Sequence, residues 1–193
     1  MSDLTLGFVG LGRMGGPMSG RLVDRGFSVV GFDLSPDAVE AARKKGIEIA
    51  ASPQEVGAKA DLVIVSLPTP DIVLEVVAGP EGIATGGRVK TIVDVSTTGP
   101  TVARQTAAAL AERDVDWIDC PISGGIAGAV NGTLAVMVSG PKQAYEASQD
   151  ILSTFGKLFY VGDQPGLAQG KTQQPGISVC QAVEGLLACR PQP

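Results

Sequence analysis

Thr5-Leu6-Gly7-Phe8-Val9-Gly10-Leu11-Gly12-Arg13-Met14-Gly15 decides how the rest of this chain is read. Leu6, Phe8 and Val9 form a short apolar strand, and Gly10, Gly12 and Gly15 follow in G-x-G-x-x-G register as a helix begins. Strand, glycine turn and helix in that order make up the dinucleotide-binding fingerprint in the context it requires. Gly10 permits the tight turn, Gly12 lets backbone approach a pyrophosphate, and Gly15 lets the helix pack on the strand. Unpaired N–H groups and the helix dipole then favour a diphosphate.

With 26 glycines in 193 residues, such a pattern also arises by chance, so its neighbours must support it. Pro17 suits a first helical turn, and Met14, Met18 and Leu22 repeat at i, i+4 and i+8 as a sheet-facing stripe. A second strand, Ser28 to Phe32, ends in Asp33, eighteen residues beyond Gly15. An acid at that place accepts hydrogen bonds from adenosine ribose hydroxyls. Asp33 followed by Leu34-Ser35 favours NAD, because a 2′-phosphate would face the carboxylate with no cation at residue 34. Arg13 could still accommodate that phosphate, which leaves NADP open.

Elsewhere helix and strand alternate. Ser35-Pro36 reads as an N-cap and first turn, Ala38 to Lys45 as a helix closed by Gly46, and Ile47 to Ala50 as a short strand. Ser52-Pro53-Gln54-Glu55 has capping-box spacing. Leu62 to Val65 is a wholly apolar strand leading through Ser66-Leu67-Pro68 to a helix from Pro70 to Ala78. Thr91 to Val95, the helix Thr101 to Arg113 and the strand Asp116 to Cys120 repeat the unit. A glycine-rich loop is expected from Ser123 to Thr133, then a strand Leu134 to Ser139, a helix Pro141 to Phe155 and a strand Lys157 to Val161. The alternation predicts a doubly wound, mainly parallel α/β sheet of Rossmann type, with residues 1–162 as the dinucleotide-binding domain and 163–193 as a tail. Ligands in such sheets sit beyond the carboxyl ends of the strands.

Composition narrows the function. Forty-four per cent apolar and eighteen per cent charged residues describe a globular chain, and a net charge of −5 argues against nucleic acid. There is no apolar run of membrane-spanning length, and the N-terminus enters a strand without a basic leader, so a cytoplasmic protein is expected. Cys120, Cys180 and Cys189 are too few and scattered for a disulfide framework or a metal site. Histidine is absent altogether, which excludes histidine-based triads and any histidine proton-transfer residue.

A second constellation, Asp119-Cys120-Pro121-Ile122-Ser123-Gly124-Gly125, runs on through Gly128-Ala129 to Gly132. Its glycines free backbone N–H groups for an anion such as a substrate carboxylate, and Ser123 adds a hydroxyl; a plain flexible turn is the alternative. Taken with the Gly10 to Gly15 segment and Asp94-Val95-Ser96-Thr97, these residues make the chain resemble the β-hydroxyacid dehydrogenases, the 3-hydroxyisobutyrate, tartronate semialdehyde and 6-phosphogluconate dehydrogenase group. The likeness runs from about Leu4 to Gly170.

The resemblance implies that Gly10, Leu11, Gly12, Arg13, Met14, Gly15 and Asp33 bind the cofactor, with Leu67, Pro68 and Thr97 along its nicotinamide end. It implies further that Ser123, Gly124 and Gly125 contact the carboxylate of a small hydroxy acid. It also implies a catalytic lysine early in a helix after the dinucleotide domain, for which Lys171 is the candidate; an exposed tail lysine is the alternative. Hydride transfer to or from a small 3-hydroxy acid is the implied reaction. An inactive nucleotide-binding module and an imine-reductase-like enzyme stand beside it.

After Lys171 the likeness stops. Thr172-Gln173-Gln174-Pro175-Gly176 replaces the expected asparagine-bearing apolar helix, and Pro175-Gly176 ends a helix. A truncated protein is expected, lacking the C-terminal domain through which a homo-oligomer could form, with an out-of-frame or recombined tail from about Gly170. A native short form, with Val179, Val183, Leu186 and Leu187 on one helical face, is the other reading. A missing domain would leave the cleft open to water and turnover weak.

Overall fold

The computed structural model describes residues 4–172, with side chains through residue 170. The expectations for the tail beyond residue 172 lie outside the described residues. Among the described residues nine strands form one sheet. They are β1 (Thr5–Val9), β2 (Ser28–Phe32), β3 (Glu48–Ile49), β4 (Leu62–Val65), β5 (Thr91–Asp94), β6 (Asp116–Asp119), β7 (Ile122–Ser123), β8 (Leu134–Ser139) and β9 (Gly156–Gly162). Their order is β3-β2-β1-β4-β5-β6-β8-β7, with β9 also paired to β8. The first six strands are parallel, β8 runs antiparallel to β6 and β7, and β9 is parallel to β8. The order 3-2-1-4-5-6 puts the switch point between β1 and β4, where a doubly wound sheet opens its ligand crevice.

The helices are α1 (Gly15–Asp24), α2 (Pro36–Lys44), α3 (Pro53–Lys59), α4 (Pro70–Ala78), α5 (Gly99–Ala111), α6 (Gly125–Asn131), α7 (Lys142–Leu152) and α8 (Leu167–Thr172). The expected caps are in place. Ser35, Ser52 and Thr69 accept hydrogen bonds from Ala38, Glu55 and Ile72 at the starts of α2, α3 and α4. Glu55 also reaches back to accept the Ala51 N–H, one residue before the N-cap that the capping-box spacing would engage.

Alternation along each strand splits the core into two layers. Leu6, Phe8, Ile64, Val93 and Ile118 face α1 and α7, where Met18, Leu22 and Leu152 are fully buried. Val9, Val63, Val65, Ile92 and Trp117 face the opposite side and meet Val73, Val77 and Leu110. Both faces are covered, so β4 has no polar residue at all. Among the described residues no helix is long and apolar enough to cross a membrane.

The expectation of a loop from Ser123 to Thr133 is corrected. Residues 125–131 form the helix α6, entered through Gly124 and Gly125 at φ +132° and +62° and closed by Gly132 at φ +69°. Glycine content suggests a loop, yet these glycines act as helix boundaries, while Gly128 lets α6 lie against Leu134, where a Cβ would come within 2.8 Å of Cδ2.

Leu22 is fully enclosed between α1 and the sheet. Leu22→Ala is expected to lower unfolding free energy by about 2–5 kcal/mol, measured by urea titration.

Candidate functional site

The site begins where β1 stops. Gly10 adopts φ +91°, and its N–H donates to the Phe32 carbonyl at 2.9 Å, so β1 and β2 remain joined up to the turn. A Cβ on Gly10 would run into the Ser66 carbonyl, and one on Gly15 into the Gly10 carbonyl. A Cβ on Gly12 would meet nothing within 4 Å and would project into open space. Two glycines are therefore required by the fold, and the third keeps space clear for something that is not protein.

α1, unlike α2, α3 and α4, starts without a side-chain cap and has no acid in its first turn. In its first turn Pro17 has no N–H, and the Gly16 and Met18 N–H groups donate to the Gly12 and Met14 carbonyls at 2.8 and 3.3 Å, so the amides that can meet an anion are those of the turn leading into it, Gly12 to Gly15. Asp33 is held beside them: the Leu11 N–H donates to Oδ2 at 2.6 Å and the Ser35 N–H to Oδ1 at 2.8 Å. Each carboxylate oxygen keeps a further lone pair for an outside donor. Gly10, Gly12, Arg13, Met14, Gly15, Asp33, Leu67 and Pro68 line one cleft of about 520 Å³ with Leu34, Ser66 and Ile72. Leu11 lies buried beneath it. The shape, a glycine-floored cradle with an acid at its rim, fits a dinucleotide.

The family described as the NAD binding domain of 6-phosphogluconate dehydrogenase matches this chain over residues 5–162. The chain belongs to that family. It is 38% identical over 163 residues to 2-(hydroxymethyl)glutarate dehydrogenase of Eubacterium barkeri, an alignment covering 83% of this chain and 54% of the relative. In structure it is similar to 3-hydroxyisobutyrate dehydrogenase of Mycobacterium tuberculosis, solved with L-serine, at TM-score 0.80 and 34% identity over 87% of this chain and 57% of that one. An imine reductase of Streptomyces aurantiacus gives a TM-score of 0.79 and 26% identity over 95% of this chain and 61% of the other. The chain spans about half the length of the curated relatives it matches.

For this NAD-binding family member, the ends of β5 and β6 carry a second set of groups. Asp94 is fully buried; its Oδ1 accepts the Ser96 N–H at 2.8 Å and its Oδ2 the Thr98 hydroxyl at 3.0 Å. Thr97, between them, is exposed at the end of β5. The Leu67 N–H donates to Ser96 Oγ at 2.9 Å, tying the loops after β4 and β5 together. Asp119 is also fully buried, and it accepts from the Gly166 N–H at 2.8 Å, the Gln169 N–H at 3.3 Å and the Ser139 hydroxyl at 2.8 Å. Ser139 Oγ in turn takes the Ala168 N–H at 2.9 Å. The start of α8 is thus capped by a strand carboxylate distant in sequence.

Burial pushes the Asp94 carboxyl up to about 6, against the lowering effect of Ser96 and Thr98 and with help from the charge of Asp119. Burial likewise raises Asp119, opposed by its donors Gly166 and Ser139. The buried Cys120 thiol is driven well up by burial and by both carboxylates, so it is an inert core group.

Ser123 ends β7, one residue before the two left-handed glycines that open α6. The Arg21 guanidinium holds the far end of α6, with Nη1 donating to the Val130 carbonyl at 3.0 Å and Nε to the Thr154 carbonyl at 2.9 Å. Ser123, Gly124, Gly125 and Thr97 stand at strand ends on the same side of the sheet as the cleft but are not part of its lining. The backbone of Lys171 lies in α8.

Sequence reasoning singled out the fingerprint and Asp33 but missed Asp94, Asp119 and Gln169 as structural partners. The available signal was an acid closing each of two consecutive apolar strands, where a buried carboxylate must find donors.

In the folded state Asp94 titrates near 6 against 3.8 for the unperturbed group. The folded chain thus keeps a proton that the unfolded chain releases, and this contribution to stability is lost as pH rises from 4 through 6. Asp94→Asn should therefore gain stability relative to wild type between pH 4.5 and 7.5 by on the order of 2–3 kcal/mol, read from urea unfolding at both values. A difference independent of pH would contradict this.

Proposed function

We propose that this chain is the cofactor-binding part of a β-hydroxyacid dehydrogenase, one that uses NAD to move hydride to or from a small 3-hydroxy acid. The observation that carries the reading is Asp33, anchored by two backbone N–H groups at the edge of the glycine cradle. A carboxylate held there suits ribose hydroxyls and repels a 2′-phosphate. NADP remains the second choice through Arg13, whose side chain lines the same cleft. We take residues 1–162 as the nucleotide-binding unit and 163–193 as the segment that follows it. Cytoplasmic location and assembly into a homo-oligomer are likewise our proposals.

In this reading the N–H groups leading into α1 hold the diphosphate. Leu67, Pro68 and the exposed Thr97 border the nicotinamide and its ribose, and Ser123 with the Gly124 and Gly125 amides takes the substrate carboxylate. Lys171 holds the substrate hydroxyl and moves its proton. When bound, the nicotinamide supplies the hydride-accepting carbon. The lack of any histidine supports a lysine in the proton-transfer role.

An imine reductase is the second reading, favoured by the similarity over 95% of this chain to the Streptomyces aurantiacus enzyme. A panel of 3-hydroxy acids and cyclic imines, followed by the absorbance of reduced nicotinamide, separates the two. Lys171→Ala is expected to abolish turnover of hydroxy acids while NAD still binds; turnover at the wild-type rate would remove the lysine from the mechanism. An inactive binding module would bind NAD and turn over neither panel.

Calorimetry with NAD and NADP tests the cofactor. Wild type should prefer NAD, and Asp33→Ala should lose NAD affinity about tenfold or more, the value of a charge-assisted hydrogen bond, with a smaller change for NADP. Tighter binding of NADP than NAD by wild type would overturn the assignment.

A further inference from the structure

Gln169 is fully buried near the start of α8, yet it is a polar side chain on a short helix whose neighbour Ala168 packs on Met137. Its Nε2 donates to the Ser96 carbonyl at 2.9 Å, and its Oε1 accepts the Gly99 N–H at 3.3 Å. These contacts bracket Thr97 and Thr98 from either side. Ser96 Oγ also holds the Leu67 N–H, so one side chain on α8 is connected to the loops after β4 and β5, the two that the proposal above assigns to the nicotinamide. Behind it, the Gln169 N–H is fixed by Asp119.

A donor toward Ser96 and an acceptor toward Gly99 are both required at this place. An amide side chain supplies the pair, whereas a carboxylate has no donor and an apolar group has neither. Packing alone would be met by a leucine or methionine.

We infer that Gln169 is a positioning residue that makes the docking of α8 and the ordering of the nicotinamide-side loops a single linked event. This rests on the nucleotide reading of the cleft proposed above. A group that orders the Leu67 and Thr97 loops lowers the cost of docking α8, and a docked α8 presents those loops in their binding form; the coupling is equal in both directions. Since Lys171 lies two residues further along α8, the same link sets the lysine-bearing turn relative to the bound cofactor.

Amide hydrogen exchange by mass spectrometry on the 193-residue chain tests the inference, with NADH and ADP-ribose as probes. ADP-ribose has the diphosphate and adenosine but no nicotinamide. In wild type NADH should slow exchange of the amides at residues 166–170 by about fivefold, and ADP-ribose much less. Gln169→Ala should abolish that difference while ADP-ribose affinity stays within about twofold of wild type. Gln169→Met, which keeps the side-chain length, should behave alike and covers the case in which the alanine variant fails to fold. Emission of bound NADH should shift in both variants, a change that a helix-packing role alone would not produce.

Persistence of the NADH-dependent slowing in either folded variant would overturn the inference. So would NADH binding to wild type with no change in α8, in which case the nucleotide reading survives alone. Failure of wild type to bind either probe would instead bring down the nucleotide reading, and the coupling with it.

Discussion

The carboxyl ends of β5 and β6 are organised by the need of two buried carboxylates for hydrogen-bond donors. Asp94 and Asp119 have no measurable exposure, and a carboxylate removed from water costs several kcal/mol unless donors replace it. Asp94 is satisfied by Ser96 and Thr98, which forces the loop after β5 into one shape and turns Thr97 outward. Asp119 is satisfied by Ser139 and by the amides of Gly166 and Gln169, which draws α8 onto the sheet. The loop after β5 and the start of α8 are thus shaped by an electrostatic requirement beneath them.

The glycine turn works by a different constraint, the close approach of backbone to backbone. Gly10 and Gly15 leave no room for a Cβ against neighbouring carbonyls, while Gly12 leaves room that a ligand can use. The turn and the carboxylates meet at Leu67. Leu67 lines the cleft and its amide is held by Ser96, so the glycine turn's cleft and the loop after β5 are tied together at this residue. Membership in the NAD-binding family of 6-phosphogluconate dehydrogenase agrees with this arrangement.

Much of the fold was legible because its signals are local. β2, β4, β8 and α4 fall where alternation, apolar runs and Pro-led caps put them. Asp33 was legible for a similar reason, since it closes the strand that must follow the first helix. α6 is not legible in the sequence because glycines signal loops, whereas here three of them adopt positive φ at the helix boundaries and Gly128 provides a close contact.

By itself the sequence determined most of the strands and helices, though not β7 or α6, and the glycine turn, because each depends on residues within a turn or two of one another; Asp33 was legible from its place at the end of β2, although it meets Leu11 across 22 residues. The tertiary structure alone decided what the buried acids and Gln169 do. Gln169 meets Ser96 and Gly99 across 73 and 70 residues, and Asp119 meets Gly166 across 47. No periodicity or spacing encodes such pairs: a buried polar group takes whichever donors the packed sheet brings to it, and the packing exists only once the whole sheet is assembled.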